Sequence, residues 1–467
     1  LSATAAVALL KQGKVSPLEL IDAAAARIAE TEPALNALPT LCFDRARDHA
    51  KRLMQQPPKD PPAHFLHGLP IAVKDNTDVK GVRCTSGSRI YADRIATESD
   101  IIVERLEDHG ALVVAKSNLP EFAAGGNTFN EVFGVTRNPW DTRMTPSGSS
   151  GGAAAALASG QVWLATGGDF GGSIRTPSSY CSTVGLRPTP GTVPRAQKQP
   201  FSALSVEGPM ARNVADCALM FECEAGAHKL DPMSRPLDSG SYLRAATQPR
   251  KPKRVAYSVD LGVTPVVHRH TRAVVEAAAK KIAGDGVIVE EVHPDLSDAV
   301  RNFMVLRGAI YIARIAPLLE KHRHLLKPEV IGNTEFGLGL KLPEVVAAEF
   351  VRVELGEHQP GHVGADLQRR RGPGRGCVDE VDAPGRLTDD EVVEEGAVGF
   401  TQATERERIW RFLPQQAWKA GSYSLIVETA IEDLAGNNIG KPFEVDLSGG
   451  PPPQLNRTTV RLPFELR

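Results

Sequence analysis

Short apolar segments alternate with helical patterns along the first part of the chain, and this alternation constrains the fold more than any other feature. Residues 66–73 and 111–115 are continuous apolar runs with the length of buried strands. Between them, residues 99–109 form a helical pattern that Gly110 ends. Because a chain that alternates strands with helices builds a sheet covered by helices, the sequence predicts the α/β class.

The composition excludes several classes of function. Lysine and arginine number 54 against 56 acidic residues, so no net positive charge attracts nucleic acid or anionic lipid. No apolar run approaches about 18 residues, which disfavours a membrane-spanning segment. The six cysteines form no C-x-x-C pair and no zinc-type spacing, so we expect free thiols in a reducing, cytoplasmic compartment. The residues after Leu1 also lack the basic and apolar regions of a signal peptide.

Two loops rich in glycine and serine, residues 145–152 and 167–173, interrupt this pattern. The first precedes an alanine-rich helical segment, and the second follows a predicted strand over residues 161–166. Neither loop has the G-x-x-x-x-G-K-[ST] or G-x-G-x-x-G pattern of a phosphate-binding loop. Residues 148–152 match the G-x-S-x-G of a hydrolase nucleophile elbow, but residues 138–146 do not resemble the strand that such an elbow needs.

A third interpretation joins both loops with a lysine. Glycines carry no Cβ, so backbone N–H groups of the second loop can approach a substrate closely. Four of them would form an oxyanion hole, those of Phe170, Gly171, Gly172 and Ser173. Ser173 would be the nucleophile, Lys74 at the end of an apolar strand its base, and Ser149 a proton relay between them. Each feature alone is more often a plain turn or a solvated strand end, so the interpretation depends on their combination.

The motifs around these residues carry a family resemblance. They read Gly68-Leu-Pro-Ile-Ala-Val-Lys74-Asp-Asn76, Ser147-Gly-Ser149-Ser-Gly-Gly152 and Asp169-Phe-Gly-Gly-Ser173-Ile-Arg175, with supporting matches at Lys116–Phe122, Asn138–Trp140, Val184–Thr189 and Gly208–Asn213. In this order and spacing, the chain resembles the amidase signature family over residues 1–350. The resemblance implies a mixed β-sheet flanked by helices.

The resemblance also implies a mechanism. Ser173 would be the acylated nucleophile, Ser149 the bridging serine on a cis peptide bond, and Lys74 the base, so that an amide C–N bond is hydrolysed through an acyl-enzyme. The resemblance implies no metal and no organic cofactor. The expected substrate is a small-molecule amide, no nucleic-acid or membrane partner is expected, and a homodimer is left open.

Further residues near the motifs have weaker support. On the resemblance alone, three residues line the acyl pocket: Gly125, Gly126 and Asn127. Asp169 is grouped with them as a substrate-binding residue, although it is equally suited to support or cap the second loop by accepting N–H groups. For Arg175, contact with substrate is one alternative, and a salt bridge that braces that loop is the expected one. Two histidine pairs lack the geometry of metal ligands, His322 with His324 and His358 with His362.

The pattern changes after about residue 350. Residues 1–350 would form the amidase signature domain without the C-terminal part of the family fold, residues 351–408 a charged linker containing glycine and proline, and residues 409–467 a β-rich tail that resembles part of an immunoglobulin-like domain. One alternative is therefore a truncated or fused relic that is catalytically impaired or acts only as an interaction protein. Another, an amidotransferase component that acts on charged tRNA, is disfavoured by Phe170, where many relatives have Thr, and by the balanced charge.

Overall fold

A computed structural model describes most of the chain: residues 1–195, 203–237, 240–262 and 267–357, with four strands at 399–404, 409–414, 421–428 and 459–466. These residues form two compact units. The first includes the described parts of Leu1–Arg250 and Tyr311–Glu335, and the second those of Lys251–Ile310 and Phe336–Val427 with the last strand. Every residue predicted for the catalytic site lies in the first unit.

The first unit is built on a six-stranded mixed sheet. Its strands, with a separate small hairpin formed by β4 and β5, are β1 (Thr40–Leu41), β2 (Leu69–Lys74), β3 (Ala111–Ser117), β4 (Phe129–Asn130), β5 (Gly134–Val135), β6 (Leu164–Asp169), β7 (Val184–Gly185) and β8 (Val206–Ala211). The order in the sheet is β1-β3-β2-β6-β8-β7. Strand β2 pairs in parallel with β3 and β6, whereas the β1–β3, β6–β8 and β7–β8 pairs are antiparallel.

Helices cover both faces of this sheet. They are α1 (Ala3–Lys11), α2 (Pro17–Leu35), α3 (Phe43–Gln55), α4 (Ile101–Asp108), α5 (Gly151–Ala158), α6 (Arg175–Tyr180), α7 (Val214–Glu224) and α8 (Tyr242–Thr247). Successive residues of a strand face opposite sides, so Ile71 packs in one buried cluster with α1, α4 and α7, and Ala72 in another with α2, α3 and α5. The predicted mixed sheet flanked by helices is therefore confirmed.

Local sequence signals account for where several helices begin and end. The Ser16 hydroxyl accepts the Glu19 N–H (3.3 Å), while the Glu19 carboxylate accepts the Ser16 N–H (2.8 Å), which completes a capping box at the start of α2. The helix ends at Leu35, and it is capped by Asn36, whose left-handed backbone (φ 51°) commonly terminates helices. These contacts lie within a few residues of one another, so they are readable without the tertiary fold.

The strand predicted over residues 161–166 is placed differently. It is β6, Leu164–Asp169, so Gly167 and Gly168 belong to the strand rather than to a glycine loop. Both pair with β8, at Gly208 and Glu207. A Cβ on Gly167 would lie 2.7 Å from both Ile174 Cγ1 and Met210 Sδ, so a side chain there would collide with the packed core. Close packing, not a turn, explains why these positions are glycine.

The remaining described elements follow residue 250. They are β9 (Arg254–Tyr257), α9 (Arg269–Gly284), β10 (Ile288–Glu291), α10 (Ala299–His322), α11 (Pro328–Gly339), α12 (Leu342–Glu357), β11 (Gly399–Thr404), β12 (Ile409–Pro414), β13 (Gly421–Glu428) and β14 (Thr459–Leu466). Strands β11 and β12 pair with each other, as do β13 and β14. Residues 358–398, which include most of the predicted linker with His358 and His362, lie outside the described residues, as do residues 429–458 of the predicted β-rich tail.

One helical stretch, Ala299–Leu325, is long and apolar enough by composition to cross a membrane. A single helix of this kind is weak evidence for a membrane span, because core helices share its length and composition. In the first unit, its residues Tyr311, Ile315 and Leu319 are buried in one cluster with Ala124. Packing within the protein therefore accounts for part of its apolar face.

Candidate active site

Lys74 is the last residue of β2 and is buried in the centre of the first unit, with 1% of its surface exposed. Its backbone N–H donates to Thr166 Oγ1 (3.0 Å) on the neighbouring strand, which fixes the end of β2. The Nζ atom lies 2.8 Å from Ser149 Oγ, 2.8 Å from Ser150 Oγ and 3.4 Å from the Gly168 carbonyl oxygen. The structure thus brings the predicted base and the predicted relay serine into direct contact.

Burial sets the charge of this lysine. Desolvation lowers the pKa of Lys74 from its ordinary value of 10.5 to about 8, against the opposing effect of the Glu207 and Asp169 carboxylates. With a pKa of about 8, about a tenth of the Lys74 side chains are neutral at pH 7. A neutral amine beside a hydroxyl group can accept its proton, which a permanently charged lysine cannot do.

The segment that carries Ser149 is held between two neighbours. The Gly148–Ser149 peptide bond is cis. On one side, the Ser150 N–H donates to the Ser173 carbonyl (3.1 Å), which places the segment beside the predicted nucleophile. On the other side, the first turn of α5 packs against Asn118, which directly follows β3. A Cβ on Gly152 would lie 2.3 Å from the Asn118 backbone nitrogen, so this close approach requires glycine at position 152.

Asp169 organises the loop that contains Ser173. Its carboxylate accepts the N–H groups of Gly172 (2.9 Å) and Ile174 (3.2 Å) and forms ion pairs with Arg175 (3.0 Å) and Arg187 (3.1 Å). Burial acts to raise the pKa of Asp169, but the hydrogen bonds from Arg175 and Gly172 prevail and lower it to about 2. The predicted salt bridge of Arg175 is confirmed by these contacts.

The same contacts bear on two predictions for this loop. The Asp169 side chain is buried and its carboxylate contacts are those of a loop support, while its grouping with the substrate-binding residues stays a prediction. The Gly172 N–H donates to that carboxylate (2.9 Å), so it is directed at Asp169, and its role as an oxyanion donor stays a prediction. Sequence reasoning could not separate these roles, because neighbouring N–H groups of a tight loop point in different directions.

The predicted acyl-pocket residues lie next to the Ser149 segment. Gly125 and Gly126 are exposed, and the Gly126 carbonyl accepts the Ser147 hydroxyl (3.1 Å). A Cβ on Gly148 would lie 3.1 Å from the Gly125 carbonyl oxygen, so the two backbones are in close contact. Asn127 is buried, with 3% of its surface exposed, and offers little open surface to a ligand. The two glycines are therefore the accessible part of this loop.

Sequence reasoning missed several residues around Lys74. Ser150 contacts Nζ as closely as Ser149 does, and its place in the same serine pair was the one available signal. Thr166 and Glu207 lie on neighbouring strands and carry no motif of their own. Among the described residues, no group of three histidine, cysteine or acidic side chains could hold a metal, and the five described cysteines are free thiols.

The comparisons with known proteins agree on one family. The model of the Amidase family matches residues 19–324. One component of the glutamyl-tRNA(Gln) amidotransferase of Prochlorococcus marinus (strain MIT 9303) is 37% identical over 309 residues, which are 66% of this chain and 64% of the relative. The protein of the same name from Geobacillus kaustophilus (strain HTA426) is 41% identical over 249 residues, 53% of this chain and 51% of that protein. The chain thus spans less than two thirds of the length of these relatives.

Solved structures agree with the family model. A bacterial aryl acylamidase of the amidase signature family has a TM-score of 0.72 and 26% identity, and the match covers 78% of each chain. A second structure, described as an amidase, has a TM-score of 0.65 and 27% identity over 77% of this chain and 80% of its own. Since the family model matches more than half of the chain, as the motifs predicted, the chain belongs to the amidase family, the amidase signature proteins.

Proposed function

We propose that the chain hydrolyses the C–N bond of a small-molecule carboxylic amide through an acyl-enzyme on Ser173. The observation that carries this proposal is the buried Lys74 Nζ, 2.8 Å from Ser149 Oγ, beside the loop that bears Ser173. Family membership and the likeness to an aryl acylamidase support the same chemistry.

The first step is acylation. Neutral Lys74 accepts the proton of Ser149, Ser149 accepts that of Ser173, and the Ser173 oxygen attacks the amide carbonyl carbon. Negative charge develops on the carbonyl oxygen, and the N–H groups of Phe170, Gly171 and Ser173 are the proposed donors that stabilise it. Asp169 is a positioning residue in this scheme, because it holds Gly172 and Ile174 and thereby the direction of the other N–H groups.

The second step releases both products. When the tetrahedral intermediate collapses, the C–N bond breaks and the leaving amine takes the proton that the relay had accepted. A water molecule then gives a proton to the same relay and attacks the acyl-enzyme, which yields the free acid and restores Ser173. The sum is one amide and one water consumed, and one acid and one amine formed.

Mechanism-based labelling tests the proposal. A fluorophosphonate should modify Ser173 of the full chain, and Lys74→Ala should reduce labelling to background. Ser179→Ala is the matched control, because Ser179 is an exposed serine on the adjoining helix and should label like the wild type. A folded wild-type protein that stays unlabelled and hydrolyses none of a panel of aliphatic and aryl amides would favour the relic or interaction-protein alternative.

A second candidate function comes from the relatives. Those of 35–41% identity carry the name of an amidotransferase component, whereas the solved amidases are 23–28% identical. If this chain shares that role, it would act on charged tRNA together with a protein partner. Co-purification of the chain with tRNA or with other proteins of such a complex would support the second candidate, and a homodimer or monomer without tRNA would favour the first. In either case we propose a cytoplasmic location, which the free thiols fit.

A further inference from the structure

Lys327 reaches the loop of residues 124–129, which lies between a 3-10 turn at 121–123 and β4. Lys327 lies between a short 3-10 helix, Arg323–Leu325, and α11. Its ammonium donates a hydrogen bond to the Ala124 carbonyl and lies 5.6 Å from the centre of the Phe129 ring. Because Ala124 and Phe129 stand at the two ends of the loop, one cation contacts both ends.

The backbone of Lys327 is anchored as well. Its N–H donates to Glu121 Oε2 (2.8 Å), and the other oxygen of this buried carboxylate accepts the Ser88 hydroxyl (2.7 Å). The residues on either side add apolar contacts, since Leu326 and Val330 share one buried cluster with Ala124. The ammonium therefore approaches the loop from a fixed position.

The loop between these two ends carries the exposed Gly125 and Gly126. A Cβ on Gly125 would lie 3.3 Å from Lys327 Nζ, so the lysine rests directly against this glycine. On its other side the same backbone contacts Ser147 and Gly148, which lead into the relay serine. Gly125 and Gly126 have no side chains to pack, so the shape of this part of the loop depends on the groups that hold its backbone.

We propose that Lys327 is a positioning residue that sets the shape of the acyl-binding surface formed by Gly125 and Gly126, and thereby determines which acyl groups the enzyme accepts. This inference rests on the proposed function, because it assigns that surface to the acyl side of an amide. The Lys327 ammonium contacts Ala124, Gly125 and Phe129 directly but neither Lys74 nor Ser149, so the effect should be larger on acyl selectivity than on the proton relay.

Three variants of the full chain test this role. Lys327→Met keeps the apolar stem and removes the ammonium, Lys327→Arg keeps a cation, and Lys321→Met removes an exposed lysine of the same segment as the matched control. Amide hydrogen exchange is measured for peptides covering residues 121–130. In parallel, kcat and KM are measured for anilides with acetyl, isobutyryl and benzoyl groups.

We expect Lys327→Met to speed exchange in these peptides by about tenfold, because the loop opens more readily without its contact. KM for the isobutyryl and benzoyl anilides should rise by about tenfold relative to the acetyl anilide, since only larger acyl groups depend on the loop, while kcat for the acetyl anilide stays within about threefold. Lys327→Arg and Lys321→Met should resemble the wild type in both measurements.

Unchanged exchange over residues 121–130 would overturn the inference. So would an equal loss for all three acyl groups together with a lower Tm, because a residue that only stabilises the fold would not discriminate between them. Failure of the proposed function would appear separately, as a wild-type protein that neither labels at Ser173 nor hydrolyses any anilide. In that case hydrogen exchange would still test the contact: faster exchange over residues 121–130 in Lys327→Met would support it, and unchanged exchange would overturn it.

Discussion

Lys74 and Glu207 both contact Gly168. The Lys74 Nζ lies 3.4 Å from the Gly168 carbonyl oxygen, and a Cβ on Gly168 would lie 2.9 Å from a carboxylate oxygen of Glu207. A buried lysine thus lies near a buried carboxylate, which itself pairs with Arg195 (3.3 Å). Burial favours the neutral lysine and the Glu207 charge favours the ammonium, and burial prevails.

The pH dependence of hydrolysis should follow Lys74. The relay needs the neutral amine, and the pKa of Lys74 is about 8, so kcat/KM for an amide should rise with pH and reach half of its plateau near pH 8. A pH profile of anilide hydrolysis measures this. A rate that is flat between pH 6 and pH 9 would contradict the assignment of Lys74 as the base.

Glu207→Gln should shift that profile. Without the carboxylate, the ammonium form of Lys74 loses a favourable interaction, so its pKa should fall and the midpoint should move to lower pH by about one unit or less. Glu131→Gln is the control, because Glu131 is exposed and pairs with Arg89 at the surface. A midpoint that moves to higher pH, or moves equally in both variants, would refute the electrostatic role of Glu207.

The two hydroxyl groups beside Lys74 should differ in importance. Ser149→Ala should lower kcat by about a thousandfold, since it removes the proposed relay, whereas Ser150→Ala should lower it by about tenfold, since it removes one hydrogen bond to Nζ. Steady-state kinetics of the two variants decide between them. The reverse order of effects would identify Ser150 as the relay.

Asp169→Asn should harm both stability and rate. The substitution leaves Arg187 beside an uncharged group and weakens the hydrogen bonds from the Gly172 and Ile174 N–H groups. We therefore expect a loss of about 3 kcal/mol in the free energy of unfolding. Arg175→Ala should cost less than about 1 kcal/mol, because the Arg175 side chain is 56% exposed. Urea denaturation measures the stability of the two variants, and a labelling assay measures their rates. Equal losses in the free energy of unfolding would contradict this ranking.

Gly152→Ala should be strongly destabilising. The new Cβ would lie 2.3 Å from the Asn118 nitrogen and 2.6 Å from the Ala37 carbonyl oxygen, both backbone atoms that cannot move aside, so about 3 kcal/mol or more should be lost. Gly332→Ala in α11 is the matched control. A Cβ there meets no atom within 4 Å, and the better helix propensity of alanine should stabilise the chain by about 0.5–1 kcal/mol. Thermal unfolding of both variants checks the contrast.

Much of the scaffold could be predicted because its causes are local. The capping box at Ser16 and Glu19 joins residues three apart, and the apolar runs that became β2 and β3 are buried along their whole length. The motifs also identified the family, since their order and spacing are properties of the chain alone. The limits of β6 were wrong because pairing with β8, a partner far along the chain, decides them.

The sequence by itself determined the class of fold, the family and the candidates Lys74, Ser149 and Ser173, because these depend on residue type, order and spacing. Only the tertiary structure decided that the Gly172 N–H serves Asp169, that Ser150 also contacts Lys74, and that Lys327 holds a loop some 200 residues earlier in the chain. The physical reason is that hydrogen bonds and electrostatic interactions act over a few ångströms in space. Which groups come that close depends on how the strands pair, and local patterns do not contain that information.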